Sequence, residues 1–174
     1  MIESIVITVV VLFAALLIYA ATRPDTFRVE RSISIKVLPE KIFPLINDFH
    51  QWEPWSPWEK VDPAIKRSYS GAVSGEGAIY EWNGNKEIGR GRMEIIESSP
   101  RSKVLIQIDF IKPFEAHNTI EFTLVTHGDA TMVTQAMYGH CPYISKLIGI
   151  FFSMDKMVGK KYEEGLANLK AISE

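Results

Sequence analysis

Two residues in the 174-residue chain have the type and setting for acid–base chemistry. Asp155 lies in the stretch Pro142 to Ile172, PYISKLIGIFFSMDKMVGKKYEEGLANLKAI. Successive residues placed 100° apart put Ile144, Leu147, Ile148, Phe151, Met154, Val158, Tyr162, Leu166 and Leu169 on one side. Asp155 falls within that apolar stripe. A carboxylate there is costly unless paired. It is therefore a ligand's polar anchor or a general acid/base, or else a helix cap or the partner of a basic residue such as Arg31. His117 has Glu115 and Glu121 at strand parity, so a His–carboxylate pair on one face could move protons, although spacing alone is a weak signal. His50, His127 and His140 sit in turn-like contexts. No metalloprotease, nucleophile-elbow, P-loop or dinucleotide motif occurs. Cys141 is the single cysteine, with no CxxC or Cys/His zinc pattern. No cofactor and no metal are expected.

These residues need elements to hold them. The Pro142–Ile172 stripe predicts a long amphipathic helix, with Gly149 and Ser153-Met154-Asp155 marking where it would split. Such a helix must lie on something, and most of what precedes it reads as short strands. Phe27 to Ile35 alternates apolar and polar residues, with Arg31 as a charged intruder on the apolar face. Leu38-Pro39-Glu40 opens a short helix burying Ile42, Phe43 and Ile46. DFHQWEPWSPW, Asp48 to Trp58, holds too many tryptophans and prolines for a regular element, and must be a fixed aromatic loop. Its tryptophans form a ligand lid or membrane-touching rim, or else a packed corner.

Strands follow at Ile65–Tyr69, Ala78–Trp82, Lys86–Glu97, Lys103–Phe110, Glu115–Val125 and Thr131–Tyr138. Asn83-Gly84-Asn85 reads as a hairpin turn, and Gly89 and Gly91 read as a bend or bulge. The class is α+β: seven strands, two helical pieces after the first, and a closing helix.

Lys plus Arg is 19 against 21 Asp plus Glu, a net charge of −2. No basic stripe offers itself to nucleic acid. Ile5 to Ala21 is a 17-residue run without charge, ~26 Å of helix and at the short end of what crosses a bilayer. Glu3 and the absence of a basic start argue for a retained anchor over a cleaved signal. Arg23, Arg28, Arg31 and Lys36 follow the span, which by the positive-inside rule leans the following domain toward the cytoplasm. The expected organisation is an anchor over 1–22, a linker over 23–26 and a ligand-binding domain over 27–174. Counted from Thr22 to Thr26, the linker reaches at most ~17 Å, which holds the domain near the bilayer.

The FRVERSISI opening, the proline-led helix, DFHQWEPWSPW, GEGAIYEWNG and the terminal GLANLK, taken in order, resemble the START-like superfamily. More narrowly, the likeness is to the polyketide cyclase/dehydrase and lipid-transport (SRPBCC) group. It covers Phe27 to Leu169. It implies a helix-grip fold, in which a curved seven-stranded antiparallel sheet surrounds the C-terminal helix and leaves a deep apolar cavity. Members bind lipids, sterols, polyketides or hormones, and a minority catalyse cyclisation or aromatisation. One departure is Gln135 in TMVTQAM, where a Trp is expected.

Cavity-facing candidates follow from parity: Tyr80, Trp82, Ile106, Ile108, His117, Val133, Gln135 and Met137. Leu147, Phe151, Met154, Asp155 and Val158 lie above them, and Trp55 comes from the aromatic loop. The same positions would equally fill a packed core. The leading reading is a membrane-anchored, non-catalytic binding module for a hydrophobic small molecule or lipid. The alternative is a cyclase- or dehydratase-like enzyme using Asp155 or His117 as acid/base. A third reading is a domain with a collapsed cavity that acts through protein contacts.

Overall fold

The computed structural model describes residues 2–151 and 153–174, with the Phe151 side chain outside the description. An apolar helix α1 (Ile2–Thr22) leads within four residues into β1 (Thr26–Ile35), and α2 (Pro39–Asn47) follows. Two short 3-10 turns then precede β2 (Lys66–Gly71), β3 (Ala78–Asn83), β4 (Arg90–Ser99), β5 (Lys103–Lys112), β6 (Ala116–His127) and β7 (Ala130–His140). The chain closes with α3 (Tyr143–Phe151) and α4 (Met154–Ser173). All seven strands form one antiparallel sheet in the order β1-β7-β6-β5-β4-β3-β2.

Period-two alternation decides which face is buried. Tyr80 and Trp82, Met93 and Ile95, Ile106 and Ile108, Ile120 and Phe122, Val133 and Met137 all point inward to one core. Helix α4 closes that core with Tyr162, Leu166 and Leu169, and packs mainly along β1. This is the helix-grip arrangement.

The Ala78–Glu97 hairpin is wider than the tight turn its sequence predicts. Asp62 accepts the Asn85 N–H at 2.7 Å, and the Asn85 side chain accepts from the N–H groups of Glu87 and Ile88. Asn85 thereby spends its hydrogen bonds on a longer loop, and β4 begins only at Arg90. The expected bulge is present at Arg90/Gly91, where a Cβ on Gly91 would lie 2.3 Å from the Trp82 ring.

The tail is two helices rather than one. Ser153 is extended (φ −77°, ψ 110°), and its hydroxyl accepts the Lys156 N–H at 3.3 Å as an N-cap. Helix α3 is thereby released from the line of α4 and packs against α1. Tyr143 donates to the Leu17 carbonyl at 2.8 Å, the Cys141 N–H bonds the Asp25 carbonyl at 2.7 Å, and Lys146 pairs with the Asp25 carboxylate.

Candidate functional site beneath helix α4

The aromatic loop packs between sheet and helix. Carbonyls in the last turn of a helix lack intrahelical partners. Two of those in α2 are taken by indoles, since Trp52 donates to Ile46 at 2.9 Å and Trp55 to Leu45 at 3.1 Å. Their rings lie 5.0 Å apart and edge-on to Phe122, at 6.0 and 6.1 Å. Asn168 of α4 donates to the Trp55 carbonyl at 3.1 Å. Trp55, expected among the ligand contacts, is thus a core residue tying α2, α4 and β6 together, and is 1% exposed. The packed-corner reading holds for Trp52 and Trp55, while Trp58 stays partly exposed.

Tyr80, Trp82, Ile106, Ile108, Val133, Gln135 and Met137 share the inner face of the sheet, and all are buried. Tyr80 stacks on Trp82 with centroids 6.1 Å apart. Its hydroxyl donates to Glu59 at 2.7 Å, and Arg67 holds the other Glu59 oxygen at 2.6 Å. Burial, then the bond to Glu59, pushes the Tyr80 phenol well up. Glu59 is a buried carboxylate that sequence reasoning missed. Its partners lie eight and twenty-one residues away and meet it only through the fold. Above the sheet, Tyr162 is buried, and that burial alone raises its phenol.

Gln135 is the exception in this interior. It is 5% exposed, and its Oε1 has no hydrogen-bond partner. Arg31 and Phe122 flank it on the neighbouring strands.

The helix-borne candidates separate. Val158 is half-buried against the core. Leu147 sits on α3, which packs mainly against α1, so it is not above the sheet. Met154 is 48% exposed because the break at Ser153 turns the start of α4 outward. The Phe151 side chain falls outside the described residues.

Asp155, placed in the apolar stripe by a continuous-helix reading, is 59% exposed at the start of α4 and paired with Arg31 at 3.0 Å. Arg31 also reaches Glu163 at 2.6 Å. These carboxylates raise its pKa further, while the Arg31 guanidinium holds the Asp155 carboxyl below the usual range. His117 is 73% exposed, on the opposite face of β6 from Asn118 and Ile120, and pairs with Asp109 at 2.7 Å rather than with Glu115 or Glu121. The β5–β6 register puts Asp109 directly opposite His117, and a strand-parity reading within one strand cannot see that. Neither residue offers an enclosed acid or base.

Two open surface concavities among the described residues lie away from α4. One is an open groove of about 510 Å³ beside β1 and β7, lined by Pro24, Thr26, Phe27, Arg28, Tyr138 and Gly139. The other is on the surface of α1 at Ser4, Ile5, Thr8 and Val9. Among the described residues, no group of three or more His, Cys, Asp or Glu side chains could hold a metal ion.

A seven-stranded antiparallel sheet gripping a C-terminal helix defines the START-like class. The chain belongs to the polyketide cyclase / dehydrase and lipid transport family, which matches residues 26–174. Protein CV1439 from Chromobacterium violaceum superposes with a TM-score of 0.60 at 14% identity, over 87% of this chain and 99% of its own. MLL2253 from Mesorhizobium loti gives 0.58 at 20% identity, over 86% and 98%. TTHA0849 from Thermus thermophilus gives 0.61 at 14%, over 83% and 95%. At these identities the likeness shows the fold. No curated protein matches the chain.

Proposed function

We propose that this protein is a membrane-anchored module that binds a hydrophobic small molecule or lipid between the sheet and α4. The observation that carries this reading is Gln135. A buried acceptor without a partner forfeits about 1–3 kcal/mol, and a donor on a ligand lodged against β7 would recover it. The apolar lining from Tyr80, Trp82, Ile106, Ile108, Val133 and Met137 suits a nonpolar body around that one polar contact. The family's lipid-transport description supports the same reading.

The anchor is α1, 21 residues long and with a mean hydropathy of 2.7 over an 18-residue stretch, or ~31 Å of helix. The basic residues after it favour the cytoplasmic side for the domain.

The test is to purify the full chain in nanodiscs, wash it, and identify co-purifying apolar molecules by mass spectrometry. Wild type should carry about one molecule per chain, and Gln135→Leu about tenfold less, the range that one hydrogen bond supports. If neither chain carries or takes up a fatty acid, sterol or polycyclic aromatic, the reading fails. The packing of Trp52 and Trp55 on Phe122 favours a second reading, a closed domain acting through protein contacts. That outcome would select it.

A further inference from the structure

We propose that the end of the sheet next to α1 sits in the bilayer interface through two apolar contacts besides the anchor. One is the outer face of α3 and the other is the tip of the β5–β6 hairpin. This rests on α1 spanning a membrane.

Three observations converge. First, α3 is bound to the anchor rather than to the sheet: Tyr143 reaches the carbonyl of Leu17, five residues before the end of α1, or ~7.5 Å back along the helix. Second, Ile144 and Ile148, one turn apart on α3, are 63% and 51% exposed. Of the polar side chains between them, Lys146 is turned inward onto Asp25 and Ser145 is half-buried. The outward face is therefore aliphatic, with Tyr143 at the level where aromatic residues favour the interface.

Third, the strand register carries a second apolar group to the same end of the sheet. Thr26 opposes His140, and Gly139 opposes Asn118, so the start of β1 is level with the start of β6. Phe114 lies in the turn between the end of β5 at Lys112 and the start of β6 at Ala116, beyond the same end of the sheet from which Arg23-Pro24-Asp25 leads back to α1. Phe114 is 79% exposed and Ile111 38%. β6 is two strands from β1 in the sheet order, so the tip stands ~10 Å to the side of β1, the strand that α1 leads into. The anchor, α3 and the hairpin tip thus form a broad footing rather than a single tether. A second copy of this chain would have to cover both patches beside a lipid-embedded helix, whereas the bilayer that holds α1 reaches them without a partner.

The experiment uses the full chain with Cys141→Ser, labelled with an environment-sensitive fluorophore after Phe114→Cys, Ile148→Cys or Val73→Cys. Val73 is as exposed as Phe114 but lies in the β2–β3 loop at the far end. Chains are reconstituted in phosphatidylcholine vesicles containing a nitroxide lipid labelled near the headgroup. The expected result is quenching at 114 and 148 about threefold above that at 73, as for residues buried in the headgroup boundary. Vesicles that float with the protein after alkaline washing while all three positions stay equally unquenched overturn this proposal and leave the anchor intact. Failure to float overturns the anchor reading, and this proposal with it. Protection at 114 and 148 that rises with protein-to-lipid ratio without nitroxide quenching assigns the patches to self-association and also overturns it. Unsubstituted chain crosslinked to a photoactivatable phosphatidylcholine gives an independent check, with adducts expected within 111–114 and 143–148.

Discussion

Gln135→Leu keeps the shape of the side chain while removing a buried acceptor that has no partner. The substitution is expected to raise the stability of the ligand-free chain by about 1–2 kcal/mol, read as an upward shift in thermal unfolding. Trp55 carries the opposite expectation. Trp55→Ala deletes a fully buried ring and should lose about 3–5 kcal/mol, whereas Trp55→Phe, which mainly frees the Leu45 carbonyl, should lose about 1 kcal/mol. Asp155 supplies a pH test. Arg31 depresses its pKa below the ordinary 3.8, so the contribution of the pair is fully present above that value. It is lost as pH falls below it through the folded-state pKa. Amide exchange in the first turn of α4 should quicken below about pH 4 in wild type, and Asp155→Asn should remove that step. The two misplaced charges, Arg31 on the strand and Asp155 in the stripe, were legible in the sequence as possible partners. The Asp109–His117 pair was not, because it depends on the register between β5 and β6.

At the scale of elements, the tail departs most from its periodicity. Gly159 shows what α4 accommodates: a Cβ there would lie 2.1 Å from the Arg31 guanidinium. In a helix interior Ala is about 1 kcal/mol better than Gly, but here the methyl would push Arg31 off Asp155 and Glu163. Gly159→Ala alone should therefore be neutral or destabilising, and it should become stabilising by about 1 kcal/mol in an Arg31→Ala background. A double-mutant cycle by chemical denaturation checks the change of sign. The amphipathic stripe correctly located helix on both sides of Ser153. It could not say that α3 would leave the sheet for α1, since one stripe of Leu and Ile fits either surface equally well.

At the scale of the whole molecule, the expected boundary at the linker is open to test. The family match begins at residue 26 and β1 at Thr26, so residues 26–174 are expected to fold alone and unfold cooperatively. Far-UV and near-UV circular dichroism of that fragment would check this, and a spectrum without fixed aromatic signals would oppose it. The full chain adds the α1–α3 contact. Breaking the Lys146–Asp25 pair by Asp25→Asn should loosen α3 from the linker without altering the core, read as faster exchange confined to residues 143–151.

What this sequence determined by itself is whatever a local period can encode. Alternation of two marked the strands and their inner faces, and a period near 3.6 marked the helices. A run without charge marked α1, and the order of short motifs marked the family. The tertiary structure decided everything that depends on which distant groups meet. Indoles from the aromatic loop satisfy the end of α2, Glu59 joins Tyr80 to Arg67, and Gln135 keeps a fully buried acceptor without a partner. A missing partner is a property of all the neighbours at once, so no spacing along the chain can announce it.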